Sequence, residues 1–216
     1  RFPVSMLFAT AFLPMFGIGG LTGLPLAFNL IDLHLHDTYY VIGHFHYVVA
    51  PGTIFALFAG IYHWFPKMTG RHMSTFLGHL HFWPSLICMN IIFAPMFIQG
   101  MAGFHRRAYD GGATYEQTTE KWLWLNEVTT WGAWALALAQ VPFIINVFAS
   151  IKMGRKAESD NPWNATTLDW GCPTPPPHGN FPSEPIVYRN PYEYSVPGAD
   201  KDFLLQYEPD ADTAAK

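Results

Sequence analysis

Four stretches of this chain are too long and too apolar for an ordinary soluble domain. They cover residues 3–29, 39–65, 76–104 and 122–151. A helix needs about 20 mostly apolar residues to cross the hydrocarbon of a bilayer, and each run meets that length. In hydrocarbon no water satisfies a free backbone N–H or C=O, so a spanning segment is either a helix or part of a closed barrel. Long runs without strict alternation select the helix. The expected fold class is therefore all-α, a polytopic transmembrane helix bundle of four spans over residues 1–153. An extended, proline-rich tail on the inner side is expected over residues 154–216. Only 13% of the residues are charged, against about a quarter in soluble domains. A net charge of −4 is small and says nothing about nucleic acid, which is not among the expected partners.

Prolines 14, 25, 51, 84, 95 and 142 fall inside the runs. Membrane helices tolerate proline where neighbours take up the freed carbonyls, which favours a packed bundle with local kinks. The stretch GIGGLTG (17–23) permits close backbone approach between helices. Lys67, Arg71 and His72 follow the second run, Lys152, Arg155 and Lys156 follow the fourth, and Arg1 precedes the first. In a four-span alternation these places share one side, the cytoplasmic or matrix side by the positive-inside rule. The other side then holds residues 31–38 and 105–121, with Asp32, His34, His36, Asp37, Arg106, Arg107, Asp110, Glu116 and Glu120. Arg106 and Arg107 run against the rule, which points to a negative group there that they neutralise. Cys88 and Cys172 lie in no C-x-x-C pattern, and Cys88 reads as a packing residue. The chain opens at Arg1, close to an apolar run, and is expected to be one piece of a longer polypeptide or assembly.

The second run contains HFHYVV (44–49), two histidines one residue apart at membrane depth. In a strand His44 and His46 point the same way and can grip one metal. In a helix they diverge by about 200°. The 27-residue length of the run selects the helix. Ionisable groups inside a span are functional candidates by default. Each ring either bonds a neighbouring carbonyl or ligates a metal, and two on opposite flanks suit axial ligation of two separate irons. His79 and His81 repeat the spacing without accompanying acids or arginines, so interfacial or hydrogen-bonded histidines are expected there.

Just outside the second run, His36 and Asp37 offer a nitrogen and an oxygen side by side. Such a pair is either a solvated acidic turn or part of a magnesium or manganese site completed by other ligands. Arg106 and Arg107 suit bidentate contact with carboxylates, or anchoring to lipid phosphate. These residues become coherent together: irons held by His44 and His46 belong to haems, and haem propionates directed outward meet both arginines and the His36–Asp37 pair.

HDTYYVIGHFHYV (36–48) closely resembles the central motif of subunit I of the haem–copper cytochrome c oxidases. The resemblance continues through FAGIYHWFPKMTGR (58–71), HFWPSLICMNIIFAPMF (81–97), GMAGFHRRAYD (100–110) and DNPWNATTLDW with PTPPP in the tail (160–177). It implies the last four of about twelve helices. By position, His44 resembles the proximal ligand of the high-spin haem, where oxygen is reduced. His46 resembles one axial ligand of the low-spin haem, which passes electrons to it. His36 and Asp37 resemble the magnesium site, completed in the family by a subunit II glutamate. Arg106 and Arg107 resemble the propionate-binding pair. The resemblance implies two haems, expected to be a-type, although the motif itself binds iron and leaves the ring substituents open. It also implies copper, whose histidines precede this region in the family, as do the second low-spin ligand and the crosslinked tyrosine. Implied partners are the remainder of subunit I, subunits II and III, cytochrome c as donor, and lipid. The implied place is a bacterial plasma membrane in preference to the mitochondrial inner membrane. Gly43, His105 and Pro51 depart from the family pattern, with Pro51 expected to kink its helix. Two alternatives stand beside this reading. One is a quinol oxidase of the same superfamily, against which Asp37, Tyr39, Tyr40 and Tyr47 weigh. The other is a non-catalytic membrane subunit with hydrogen-bonded histidines and no metal.

Overall fold

The computed structural model describes residues 2–109, 120–191 and 204–209. Asp110 and Glu116, expected on the same side as the arginines, lie outside them, as do residues 192–203 and 210–216 of the tail. Among the described residues the α-helices are α1 (Val4–Gly23), α2 (Asn29–Leu35), α3 (Tyr39–Val49), α4 (Phe55–Thr69), α5 (Thr75–Met101) and α6 (Trp124–Met153). Among the described residues extended pairing is limited to two isolated bridges, Thr38 with His105 and Arg71 with Lys156. Among the described residues four helical stretches are long and apolar enough to cross a membrane: Val4–Ala27, Tyr39–Thr69, Thr75–Met101 and Trp124–Met153. The chain is thus an all-α integral membrane protein.

Tyr39–Thr69 is one continuous helix of 31 residues. Between α3 and α4 it widens to a π-helical turn at Ala50–Ile54, which holds Pro51. Proline has no N–H for the preceding turn, and a π turn absorbs that loss without ending the helix. At its start Thr38 caps α3, its hydroxyl accepting from the Tyr40 N–H and donating to the Leu35 carbonyl.

Two compact units divide the chain. In the first, residues 1–63 and 74–148, α3 packs against both α1 and α5. Phe8 is completely buried, with Phe55, Phe58, Tyr62, His81 and Phe82 around it at centroid distances of 4.9 to 5.8 Å. Gly100 of α5 lies so close to α3 that an added Cβ would stand 2.0 Å from the Tyr40 amide nitrogen. A side-chain network joins α4, α5 and α6 within this core. Gln140 donates to the Ser85 hydroxyl (3.1 Å) and to the Leu136 carbonyl (3.1 Å). Its amide oxygen therefore faces His81 Nε2 at 3.1 Å. That assigns the proton to Nε2 and leaves Nδ1 to accept from the Tyr62 hydroxyl at 3.2 Å. Asn146 caps the start of α5 from α6, accepting from the Ser74 N–H (2.8 Å) and donating to the Ser74 carbonyl (2.9 Å). His81 is thus hydrogen-bonded and fully buried.

The second unit comprises residues 64–73 and 149–216. Trp64 stacks on Trp170 at 4.7 Å and 10°. Arg71 donates to the Gly154 carbonyl at 2.7 Å, and the His72 N–H to the Arg155 carbonyl at 2.8 Å. The described tail is irregular and folds back on itself. Gln206 accepts from the Leu168 N–H on its side chain (2.8 Å), while its own N–H donates to the Thr166 carbonyl (3.0 Å).

Two measurements follow from these contacts. Gln140→Leu leaves His81 Nε2 and the Ser85 hydroxyl without their shared partner in a dry core. It is expected to cost about 1–3 kcal/mol, read as thermal stability of the detergent-solubilised protein, with less than additive loss when combined with Ser85→Ala. The second concerns His72. Burial, with the Arg155 guanidinium beside it, holds its pKa below the ordinary 6.5, against a smaller opposing pull from Glu158. The folded unit therefore favours the neutral ring. Its contribution is fully present above pH 6.5 and is lost as pH falls through the depressed folded value. Limited proteolysis of the tail is expected to accelerate on acidification across that window, and His72→Gln to remove that part of the pH dependence.

Candidate functional site

The two histidines of α3 face different neighbours. His44 points at α1, where Nδ1 lies 2.7 Å from the Gly19 carbonyl and Thr22 Oγ1 stands 3.4 Å away. A carbonyl only accepts, so Nδ1 carries the proton and Nε2 keeps its lone pair. His46 bonds the carbonyl four residues back on its own helix, with Nδ1 2.8 Å from the Ile42 oxygen. The same reasoning leaves its Nε2 lone pair free. Its ring stacks on Phe93 of α5 at 4.6 Å and 16°, with Phe45 at 4.4 Å on it as well. The rings do not converge on one ion. Each is oriented by a carbonyl on one nitrogen and presents the other, the arrangement that fixes tautomer and direction in metal-ligating histidines.

Small residues make room for this. An added Cβ on Gly23 would stand 2.6 Å from His44 Cε1, and one on Gly19 2.8 Å from the Val48 side chain. Gly19 and Gly23 are four apart, so both lie on the face of α1 that meets α3. Gly43, next to His44, lets α5 approach: a Cβ there would meet Phe97 and the Phe93 carbonyl at 3.2 to 3.3 Å. Beneath the histidines Tyr47 donates to Asn90 Oδ1 at 2.8 Å, and Asn90 donates to the Leu86 carbonyl at 2.9 Å.

A polar cluster forms at the end of the bundle where α3 begins. The Tyr39 N–H donates to the Phe104 carbonyl and the Arg106 N–H to the Asp37 carbonyl, each at 2.9 Å. These bonds and the Thr38–His105 bridge lay the segment after α5 along the start of α3. Asp37 and Arg107 adopt left-handed backbone, φ +57 and +64, a conformation uncommon outside glycine. Arg106 ion-pairs with Asp37 Oδ1 through a terminal guanidinium nitrogen, while its buried Nε makes no hydrogen bond. His36 reaches both acids without hydrogen-bonding either, Nε2 being 3.7 Å from Asp37 Oδ2 and Nδ1 3.6 Å from Asp32 Oδ2. Arg107 is exposed beside the cluster and makes no ion pair among the described residues. So His36, Asp37 and Arg106 come together and Arg107 stands at their edge. Among the described residues no three histidine, cysteine or acidic side chains converge on one point.

The residues fit the groups that the histidine pattern implies. Two Nε2 lone pairs on opposite flanks suit two haem irons, and the glycine recess positions the first ring. The buried Arg106 Nε without a partner suits a carboxylate. The supporting residues Thr22, Asn90 and Phe93 lie within the stretches GIGGLTG and HFWPSLICMNIIFAPMF, but nothing in the sequence marks them as partners of the histidines. Gly19 and Gly23 were legible only as part of a small-residue stretch, although their spacing of four is the signal that marks a shared face.

Comparisons with known proteins point to one family. The sequence profile of the family described as Cytochrome C and Quinol oxidase polypeptide I matches residues 1–135. Cytochrome c oxidase subunit 1 of Synechocystis is 48% identical over 192 residues, covering 89% of this chain and 33% of the relative. The alternative cytochrome c oxidase subunit 1 of Bradyrhizobium diazoefficiens is 43% identical, covering 95% of this chain and 35% of the relative. The chain thus spans about a third of the length of these relatives. A solved haem–copper terminal oxidase dimer is similar with a TM-score of 0.62 and 25% identity, covering 72% of this chain and 28% of that one.

The recess predicts a graded response to small substitutions on α1. Gly23→Ala drives a methyl into the His44 ring and is expected to break its bond to Gly19, costing about 1–3 kcal/mol. Gly20→Ala, where an added Cβ meets nothing within 4 Å, is the matched control. Thermal stability of both variants in the full-length protein measures the difference, and a structure of the Gly23 variant shows whether the ring has turned.

Proposed function

The chain belongs to the cytochrome c and quinol oxidase polypeptide I family, and from that premise we propose that it is the part of a terminal oxidase's catalytic subunit that presents one ligand to each of two haems. The carrying observation is the pair of Nε2 lone pairs on α3, one ring held by the Gly19 carbonyl and the other by the Ile42 carbonyl. When bound in the complete subunit, the haems and copper supply electron transfer and the reduction of oxygen to water, coupled to proton pumping. His44 is assigned to the high-spin haem and His46 to the low-spin haem.

This chain's own residues do four things in that reading. The helix fixes the two ligands about 3 Å apart along its axis, so their relation needs no motion to establish. The Gly19 and Ile42 carbonyls orient the rings and raise the basicity of the ligating nitrogens. Arg106, through its unpartnered Nε, and Arg107 hold propionate carboxylates at the end of the bundle. His36 Nε2 and Asp37 Oδ2 contribute two ligands to a magnesium or manganese ion whose shell other groups complete. Proposed partners are the remainder of subunit I and subunits II and III. Cytochrome c is the proposed donor, in keeping with the names of the relatives and with Asp37, Tyr39, Tyr40 and Tyr47. Lys67, Arg71, Lys152 and Arg155 support an inner-side position for that end of the spans, and the bacterial relatives support a bacterial plasma membrane.

Replacing each histidine by asparagine in the full-length oxidase tests the assignment. His46→Asn is expected to remove the low-spin haem signal and leave a high-spin, CO-binding one. His44→Asn is expected to change the CO-binding haem and spare the low-spin one. Both variants should lose at least 99% of turnover with reduced cytochrome c, about 2.7 kcal/mol or more in barrier. Unchanged haem spectra in either variant would overturn its assignment.

A further inference from the structure

Lys67 is the strongest feature that the proposed function does not use. It stands in the last turn of α4 and is 2% exposed. A lysine there commonly serves the carbonyls that end its own helix. Lys67 turns instead to the irregular segment that follows the fourth span. Its Nζ donates to the carbonyls of Asp160 (2.8 Å), Trp170 (3.2 Å) and Cys172. An ammonium has three N–H donors and no acceptor, so three carbonyls satisfy it completely. None of these partners is a carboxylate. The nearby acid is turned to another task, Asp160 Oδ1 accepting from the Thr174 N–H at 2.8 Å.

Converging carbonyl dipoles repel one another unless a cation lies between them; those of Trp170 and Cys172 are buried, while that of the exposed Asp160 also accepts from the Thr174 hydroxyl at 2.8 Å. Water is kept out by Trp170 and Cys172, both 4% exposed, and by the Trp64–Trp170 stack. An ammonium matches three carbonyl acceptors donor for acceptor, and rings of backbone carbonyls hold monovalent cations in place of a hydration shell. We propose that the carbonyls of Asp160, Trp170 and Cys172 form a cation-binding cage whose resident cation is the Lys67 ammonium. The cage gives residues 160–172 their fold, and with the lysine side chain removed it accepts a small alkylammonium ion.

The test uses the full-length oxidase in detergent, with limited proteolysis and amide exchange of residues 160–172 as readouts. Lys67→Ala is expected to speed cleavage about tenfold or more, because leaving the buried Trp170 and Cys172 carbonyls unpaired opens the segment more often. n-Propylammonium replaces the atoms removed and is expected to restore protection, whereas n-propanol of equal length is not. Lys67→Met fills the space without a charge, and neither additive should rescue it. Unaltered protection in Lys67→Ala overturns the proposal. So does equal rescue by n-propanol, failure of n-propylammonium to rescue Lys67→Ala, or rescue of Lys67→Met. Should neither variant accumulate, acetylation of the unmodified oxidase decides. Lys67 is then expected to stay unreacted while the exposed Lys152 and Lys156 are modified, and labelling of Lys67 at their rate overturns the cage.

Discussion

A residue in an α-helix turns by about 100° from the one before it, and that rotation governs everything this chain does with its histidines. Two imidazoles separated by one residue cannot share a target on such a helix. They must be satisfied separately, in a medium that supplies no water. The chain meets the demand in two ways. His46 takes the carbonyl of its own preceding turn, at Ile42, and needs from its neighbours only the Phe93 face. His44 takes a carbonyl from another helix, at Gly19, and so needs α1 at close range. The glycines at 19 and 23 follow from that need, since a side chain at either position collides with α3.

The same absence of water explains the rest of the bundle. Association of helices in lipid draws on close packing and interhelical hydrogen bonds, because burying apolar surface there gains little. Glycines 19, 43 and 100 supply the close approaches. Tyr47 with Asn90, and His81 with Gln140 and Tyr62, supply the hydrogen bonds. Tyr47, Asn90, His81 and Gln140 are each paired within the protein, so each also fixes the rotation of the helix that carries it. A helix turned by one residue would leave His81 or Asn90 facing hydrocarbon.

Much of this was legible in the sequence, because apolar length is a strong signal. The run at 39–65 announced a helix, and the helix alone separates His44 from His46. Pro51 announced a kink, but only the structure shows it resolved as a π turn that keeps the helix whole to Thr69. What the sequence concealed is pairing across distance. His44 with Gly19, Gln140 with His81, and Asn146 with Ser74 join residues up to 72 apart. Such pairs depend on which helices become neighbours, and local periodicity carries no record of that. Lys67 is the clearest case. Its position predicted an inner-side charge, yet it is buried against carbonyls up to 105 residues away.

The cluster at the start of α3 shows how one carboxylate can serve two purposes. Asp37 gives Oδ1 to Arg106 and leaves Oδ2 toward His36 Nε2, 3.7 Å away. The proposed divalent ion belongs between His36 and Oδ2, so its binding need not break the arginine pair. The guanidinium, in turn, spends a terminal nitrogen on Asp37 and keeps its buried Nε unpaired, which leaves that nitrogen to the propionate contact proposed above. Left-handed backbone at Asp37 is what aims the carboxylate in this way. The Thr38 cap that follows ties that geometry to the first turn of α3, and through it to the two histidines further along the same helix.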